Sequence, residues 1–288
     1  MNLFTSNLLR AGLGCAAIFF GTMPSFAQTN SPAAVESQAQ SAAARDAANA
    51  KKWSVYWGWN RSNYSNSDIH FWGQGHDVTF SNVQATDRQT DVTSEKIVST
   101  YLNPGMFTIP QYNWRVAYKL NGDTAVALSF DHMKYVIVED QTVPISGVIS
   151  NQAQSGTKKL TEDYLSFEHT DGLNIMSLEV EKQKNIDLFG PSLPSRLFAF
   201  AGLGIVLPKS NVRLGFMNRD RNDEWHLAGY SVAAGTGVEV DFYKDFFFRT
   251  AYKFGYVNLP DVLTSSQGDK ASHHFTYNEV LIAAGMRF

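Results

Sequence analysis

The chain carries one cysteine, no long apolar run beyond its first segment, and no surplus of basic charge. Each scarcity excludes something. The single Cys15 lies within the first 27 residues, so the remainder can form no disulfide and hold no thiol nucleophile. After those residues no apolar stretch approaches the roughly 20 residues of a membrane helix, so any membrane insertion has to use strands. With 24 basic and 27 acidic residues the formal charge is −3, which argues against a polyanion-binding surface for nucleic acid. Removing residues 1–27 removes Arg10 and no acid, leaving 23 basic and 27 acidic residues. H-E-x-x-H, G-x-S-x-G, P-loop, dinucleotide and EF-hand patterns are all missing.

The N-terminus reads as an export signal. Arg10 supplies the positive region and Ala11 to Gly21 the short apolar core. Ser25-Phe26-Ala27 fits a small-x-small cleavage site before Gln28. Residues 28–52, rich in Ala, Ser, Gln and Asn, read as a flexible periplasmic leader, with a short helix as the alternative.

From Trp53 the texture changes, and large apolar residues alternate with small or charged ones. Trp53, Val55, Trp57 and Trp59 share one face, as do Val126, Leu128 and Phe130. At the C-terminus Val280, Ile282, Ala284, Met286 and Phe288 share a face opposite Glu279 and Arg287. Period-2 alternation is the strand signal. Charged residues recurring between large apolar rows on many strands suit a wall with lipid outside and polar groups inside. The expected fold is all-β, an antiparallel transmembrane β-barrel over residues 53–288. Eight strands are expected, near 53–60, 110–120, 124–138, 164–182, 195–207, 225–242, 246–257 and 273–288. Asp68 to Phe80 and Glu95 to Leu102 are also strand-like, so ten to twelve strands stay open.

Tight turns at Asn121-Gly122-Asp123, Tyr243-Lys244-Asp245 and Phe189-Gly190-Pro191-Ser192 mark the periplasmic end, because such barrels have short periplasmic turns and longer external loops. The lumen charges are then Arg115, Lys119, Arg249, Lys253 and Arg287 against Asp131, Glu239, Asp241 and Glu279. Eight strands leave room for side chains but not for a water pore, and buried charges must pair.

All seven histidines fall on the outer half: His70, His76, His132, His169, His226, His273 and His274. Histidine beside an orienting acid is the apparatus of general-base catalysis. The candidate catalytic set is His169, Asp171, Thr170, Asp131 and His132, with His169 as base, Asp131 or Asp171 orienting it, and Thr170 or water as nucleophile. Gly172 allows a bulge there. Asp68, Asp131, Glu168 and Asp171 could offer oxygen ligands to a divalent cation; no cofactor is otherwise expected.

The export signal, the alternation and the terminal Phe288 together resemble a Gram-negative outer-membrane β-barrel protein. The strings S-D-I-H-F (67–71), D-H-M-K-Y (131–135), F-E-H-T-D-G (167–172) and K-A-S-H-H-F (270–275) are similar to those of an uncharacterised family of envelope barrels. That resemblance implies an outer-membrane location, a terminal aromatic read by the barrel-assembly machinery, and contact with outer-membrane lipid and lipopolysaccharide, but no nucleic acid. Three functions are open: a closed barrel with a structural or surface-interaction role, a lipid A or phospholipid acyl hydrolase at the outer leaflet, and a narrow channel.

Overall fold

A computed structural model describes residues 50–288 apart from Phe107, Pro191 and Asp220, together with Val35, Glu36 and Ala39. The expected signal segment and most of the expected leader lie outside the described residues. The strands in chain order are β1 (Trp53–Tyr64), β2 (Ser67–Gly73), β3 (His76–Val83), β4 (Ala85–Asp87), β5 (Tyr112–Asn121), β6 (Thr124–Ile137), β7 (Thr142–Ile149) and β8 (Gln152–Gln154). Then follow β9 (Thr157–Lys159), β10 (Ser166–Ile186), β11 (Ser195–Arg213), β12 (Asn222–Trp225), β13 (Gly229–Tyr243), β14 (Phe246–Leu263) and β15 (Lys270–Arg287).

Every pairing in the main sheet is antiparallel, and one circuit of pairings closes. It runs β1, β5, β6, β10, β11, β13, β14, β15 and back to β1. The junction joins the first strand to the last, from Ser54↔Arg287 to Tyr64↔Tyr277. Closure removes the unpaired edge that would be untenable in lipid. Around this circuit the outward side chains are apolar and open to the surroundings: Leu203 is 68% exposed and Ile282 62%. Aromatic residues stack on the same outer wall, Trp57 on Tyr112 at 4.6 Å and Trp114 on Phe130 at 5.6 Å.

Above this belt the wall is rebuilt. β2 continues the direction of β1 and pairs with the upper part of β15; β3 returns beside it and pairs with β7. β4 pairs with β6 where β5 has not yet begun. The β2–β3 hairpin, which could have added two spanning strands, is therefore outside the closed circuit. Glu95 to Leu102, left open as a further strand, is helical instead: Ser94–Lys96 leads into a wider turn at Ile97–Tyr101. The Thr93 hydroxyl accepts the Lys96 amide at 3.2 Å, a helix N-cap.

The interior changes character with height. Low in the barrel, inward residues are charged. Higher up they are apolar, with Phe71, Phe80, Phe167, Leu173, Ile175 and Phe275 all buried in one cluster. The register accommodates the change in β10, where His169 faces Tyr135 and Leu173 faces Met133, so four steps on β10 match two on β6. Gly172 permits this bulge. Its φ is +142°, and a Cβ there would stand 2.2 Å from the Asn174 amide nitrogen. Gly172→Val is expected to cost about 1–3 kcal/mol, since this backbone region is essentially restricted to glycine. Urea unfolding of the variant in lipid vesicles checks that figure.

Candidate functional site

The chemistry-bearing residues fall into three places. The first is the lumen at belt height. Alternation turns the residues between outward Leu178 and Val180 inward, and likewise around Leu197, Phe248 and Ile282. Arg115 meets Glu179 at 2.8 Å and Glu181 at 3.1 Å. Glu181 is shared with Arg249, which reaches Glu239 at 3.3 Å. Glu239 also receives Arg287 and lies 3.5 Å from Arg196; both arginines converge on Asp241, at 2.6 and 2.8 Å. Higher in the lumen Lys253 holds Asp131 at 2.6 Å, with Glu279 at 3.7 Å. Asn113 donates to Asp131 and to Glu279, and Asn60 donates to Asn113. Every strand of the closed circuit supplies at least one of these groups, and all of them are buried.

Arg115, Arg249, Lys253, Glu239, Asp241 and Glu279 thus lie where alternation put them. Lys119 is only half-buried and lines a small crevice at the short-turn end of the barrel with Arg196 and Arg287. Sequence reasoning missed Glu179, Glu181 and Arg196. The signal was present, because each sits next to an outward apolar residue in a strand that had been located. Two rings brace the cations: the Arg249 guanidinium lies 3.4 Å over Phe198 and that of Arg287 4.4 Å over Phe247.

The second place is the apolar core above the belt. His169 and His273 point inward there, their Nε2 atoms 3.3 Å apart. His169 Nδ1 lies 2.7 Å from the Ser210 hydroxyl. Tyr135, Phe167 and Phe275 surround the pair, and the Tyr135 hydroxyl is engaged by Ser67 at 3.0 Å. Two facing nitrogens can share one proton, so one ring donates and the other accepts. No carboxylate neutralises them, and burial pushes His169 down to about 3. Burial, reinforced by the neighbouring His169 and His274, pushes His273 well below its ordinary value.

The third place is the outer wall. His132 is outward, bonded through Nδ1 to Asn174 at 2.8 Å and stacked on Tyr112 at 4.8 Å. Asp171 is exposed and pairs with Lys209 at 3.1 Å. The Asn211 amide donates to the Thr170 hydroxyl at 3.3 Å and to Glu168 at 3.2 Å.

The candidate catalytic set is therefore dispersed. Asp131 belongs to the lumen, His169 to the apolar core, and Asp171 and His132 to the wall. Successive residues of a strand alternate faces, and the bulge at Gly172 does not bring Asp171 back to His169. Neither ring nitrogen of His169 meets a carboxylate. The four carboxylates considered as cation ligands are likewise apart. Asp68 accepts the Asn82 amide at 2.7 Å, Asp131 holds Lys253, Glu168 pairs with Arg88 at 2.9 Å, and Asp171 holds Lys209. Among the described residues no three His, Cys, Asp or Glu side chains converge as a metal site.

A closed antiparallel circuit, apolar outside and ion-paired inside, defines a β-barrel of the outer-membrane type. No family model matches the chain, and no curated protein sequence does. Among solved structures it is similar to Neisserial surface protein A, at 10% identity over 82% of this chain and 97% of that one, TM-score 0.36. It is similar to OprG from Pseudomonas aeruginosa at 11% identity over 83% and 96%, TM-score 0.35. It is also similar to Ail of Yersinia pestis at 13% identity over 83% and 99%, TM-score 0.32. The first is named as a surface protein, the second as an outer membrane protein and the third as an attachment invasion locus protein, whereas class membership here follows from the strand circuit and the inverted side-chain pattern themselves.

Proposed function

We propose that this protein is an eight-stranded outer-membrane barrel that conducts no solute and holds a rigid external β-structure at the cell surface for structural or adhesive contact. The observation that carries this reading is the double filling of the lumen. Five buried cations pair with six buried carboxylates drawn from seven of the eight strands, and β1 adds the buried amide of Asn60. The apolar cluster containing Phe71, Phe167 and Phe275 lies above them. A solute would have to break both layers. Opening the ionic layer strands charges in a low dielectric, and opening the apolar layer exposes large aromatic surfaces.

The partners that follow are outer-membrane lipid and lipopolysaccharide around the belt, and the assembly machinery that reads the outward, exposed Phe288. The test is planar-bilayer recording of the purified protein. No stepwise conductance is expected. Regular steps that disappear when Arg115 or Arg249 is neutralised would replace this reading with a narrow channel.

A further inference from the structure

The segment between β4 and β5 is unlike the rest of the external structure. It exposes Val92, Ile97, Val98, Leu102, Met106 and Ile109, with Val98 69% and Leu102 64% open. Ile97, Val98, Tyr101 and Leu102 follow the i, i+1, i+4, i+5 spacing of one helical face, while Glu95, Ser99 and Asn103 take the other. A surface loop facing water has no reason to gather such a row.

Its seat on the barrel supplies the reason. The Tyr101 ring packs edge-on against Trp59 at 5.7 Å, and Trp59 is one of the outward residues of β1. The Arg61 guanidinium reaches the Tyr101 hydroxyl and the Thr90 carbonyl, both at 2.5 Å. Tyr101 itself donates to the Thr90 carbonyl at 2.7 Å. At the far end Lys134 on the outer wall of β6 donates to the Ile109 carbonyl at 2.9 Å. The segment is thus strapped to the side of the barrel, across the wall where β5 is missing. It lies directly above the Trp57–Tyr112–His132 stack that ends the apolar belt.

We propose that residues 92–106, 108 and 109 form an interfacial docking surface whose occupant is the outer leaflet of the surrounding membrane, the apolar face entering the boundary between headgroups and acyl chains. The inference rests on the barrel reading above. Continuity identifies the occupant: the exposed row adjoins the lipid-facing wall and shares its chemistry. An amphipathic helix of this kind lies in the plane of the interface, roughly 5–10 Å deep. Arg61, Lys96 and Lys134 border it at headgroup height, where cations suit lipid phosphates. The segment would fix the barrel's depth and rotation in the leaflet.

Because Cys15 is the sole cysteine, a Cys15→Ser chain accepts one environment-sensitive fluorophore at a chosen site. Three variants are compared in vesicles of phospholipid brominated either near the headgroup or deep in the chain: Val98→Cys, Leu178→Cys in the belt, and Asp163→Cys at the external end. The Val98 probe should emit blue-shifted and lose most of its emission to the shallow bromines, less to the deep ones. The Asp163 probe should lose none, and the Leu178 probe should be quenched by bilayer bromines at either depth. A Val98 probe as unquenched as Asp163, beside a quenched Leu178, overturns the inference and leaves the barrel reading intact. An unquenched Leu178 overturns the barrel reading itself.

Discussion

Arg249→Met is expected to destabilise the folded barrel by about 3–5 kcal/mol, the usual result of stranding buried carboxylates without their cation. Arg249 sits at the centre of the lumen between Glu181 and Glu239, with its guanidinium face on Phe198. Methionine keeps bulk and apolar contact but leaves both acids one partner short. Glu181 retains Arg115, and Glu239 retains Arg196 and Arg287. Adding Glu181→Gln restores the charge balance of the unaltered lumen, so the double variant should recover part of the loss, a coupling that a double-mutant cycle reads directly. Lys182→Met serves as the surface comparison, because Lys182 meets Asp123 in the open at 3.1 Å and should not matter measurably. Urea titration in lipid vesicles, followed by the gel-mobility shift of folded barrels, measures all three. A single Arg249→Met variant no less stable than Lys182→Met would contradict an ion-paired lumen.

The second large effect is on acid stability. His169 and His273 are buried neutral, so their folded pKa values lie below the unfolded value of about 6.5. Below 6.5 the unfolded chain binds protons that the folded chain refuses. Stability is therefore fully present above 6.5 and declines as pH falls through the window toward 3, where His169 titrates. His169 alone should cost roughly 2 kcal/mol by pH 5, and His273 adds to the loss in the same direction. Melting midpoints at pH 7.5 and 5.0 in detergent measure this before most carboxylates titrate. His169→Leu with His273→Leu should flatten that dependence; an unchanged slope would show that the loss arises elsewhere. The titration would loosen the external core first, because Tyr135, Phe167 and Phe275 close around this pair.

The strand pattern was legible because a barrel wall has only two environments and they alternate residue by residue. Outward Leu128, Ile282 and Phe248, and inward Arg115 and Glu279, follow from that rule alone. The spacing of Glu95 to Leu102 was ambiguous at short range, and Thr93 as a cap decides for helix. The apolar core above the belt was not legible. There the inward face is greasy, so Leu173 and Ile175 look like wall residues although they point inside. The candidate set is dispersed for a related reason. Glu168, His169, Thr170 and Asp171 are adjacent in sequence but face different ways. The true neighbour of His169 is His273, 104 residues distant, brought close only by the closed circuit.

That circuit is the claim on which lumen, belt and external core all depend, and its closing seam is β1 on β15. Trp57 stands opposite Ala284 in the seam. In a Cys15→Ser chain, Trp57→Cys with Ala284→Cys should form a disulfide within one molecule when oxidised in the membrane, since cross-strand partners fall within disulfide reach. Failure to cross-link, or cross-linking only between two copies of the chain, would mean that the sheet is open at this seam and that the barrel does not close on eight strands.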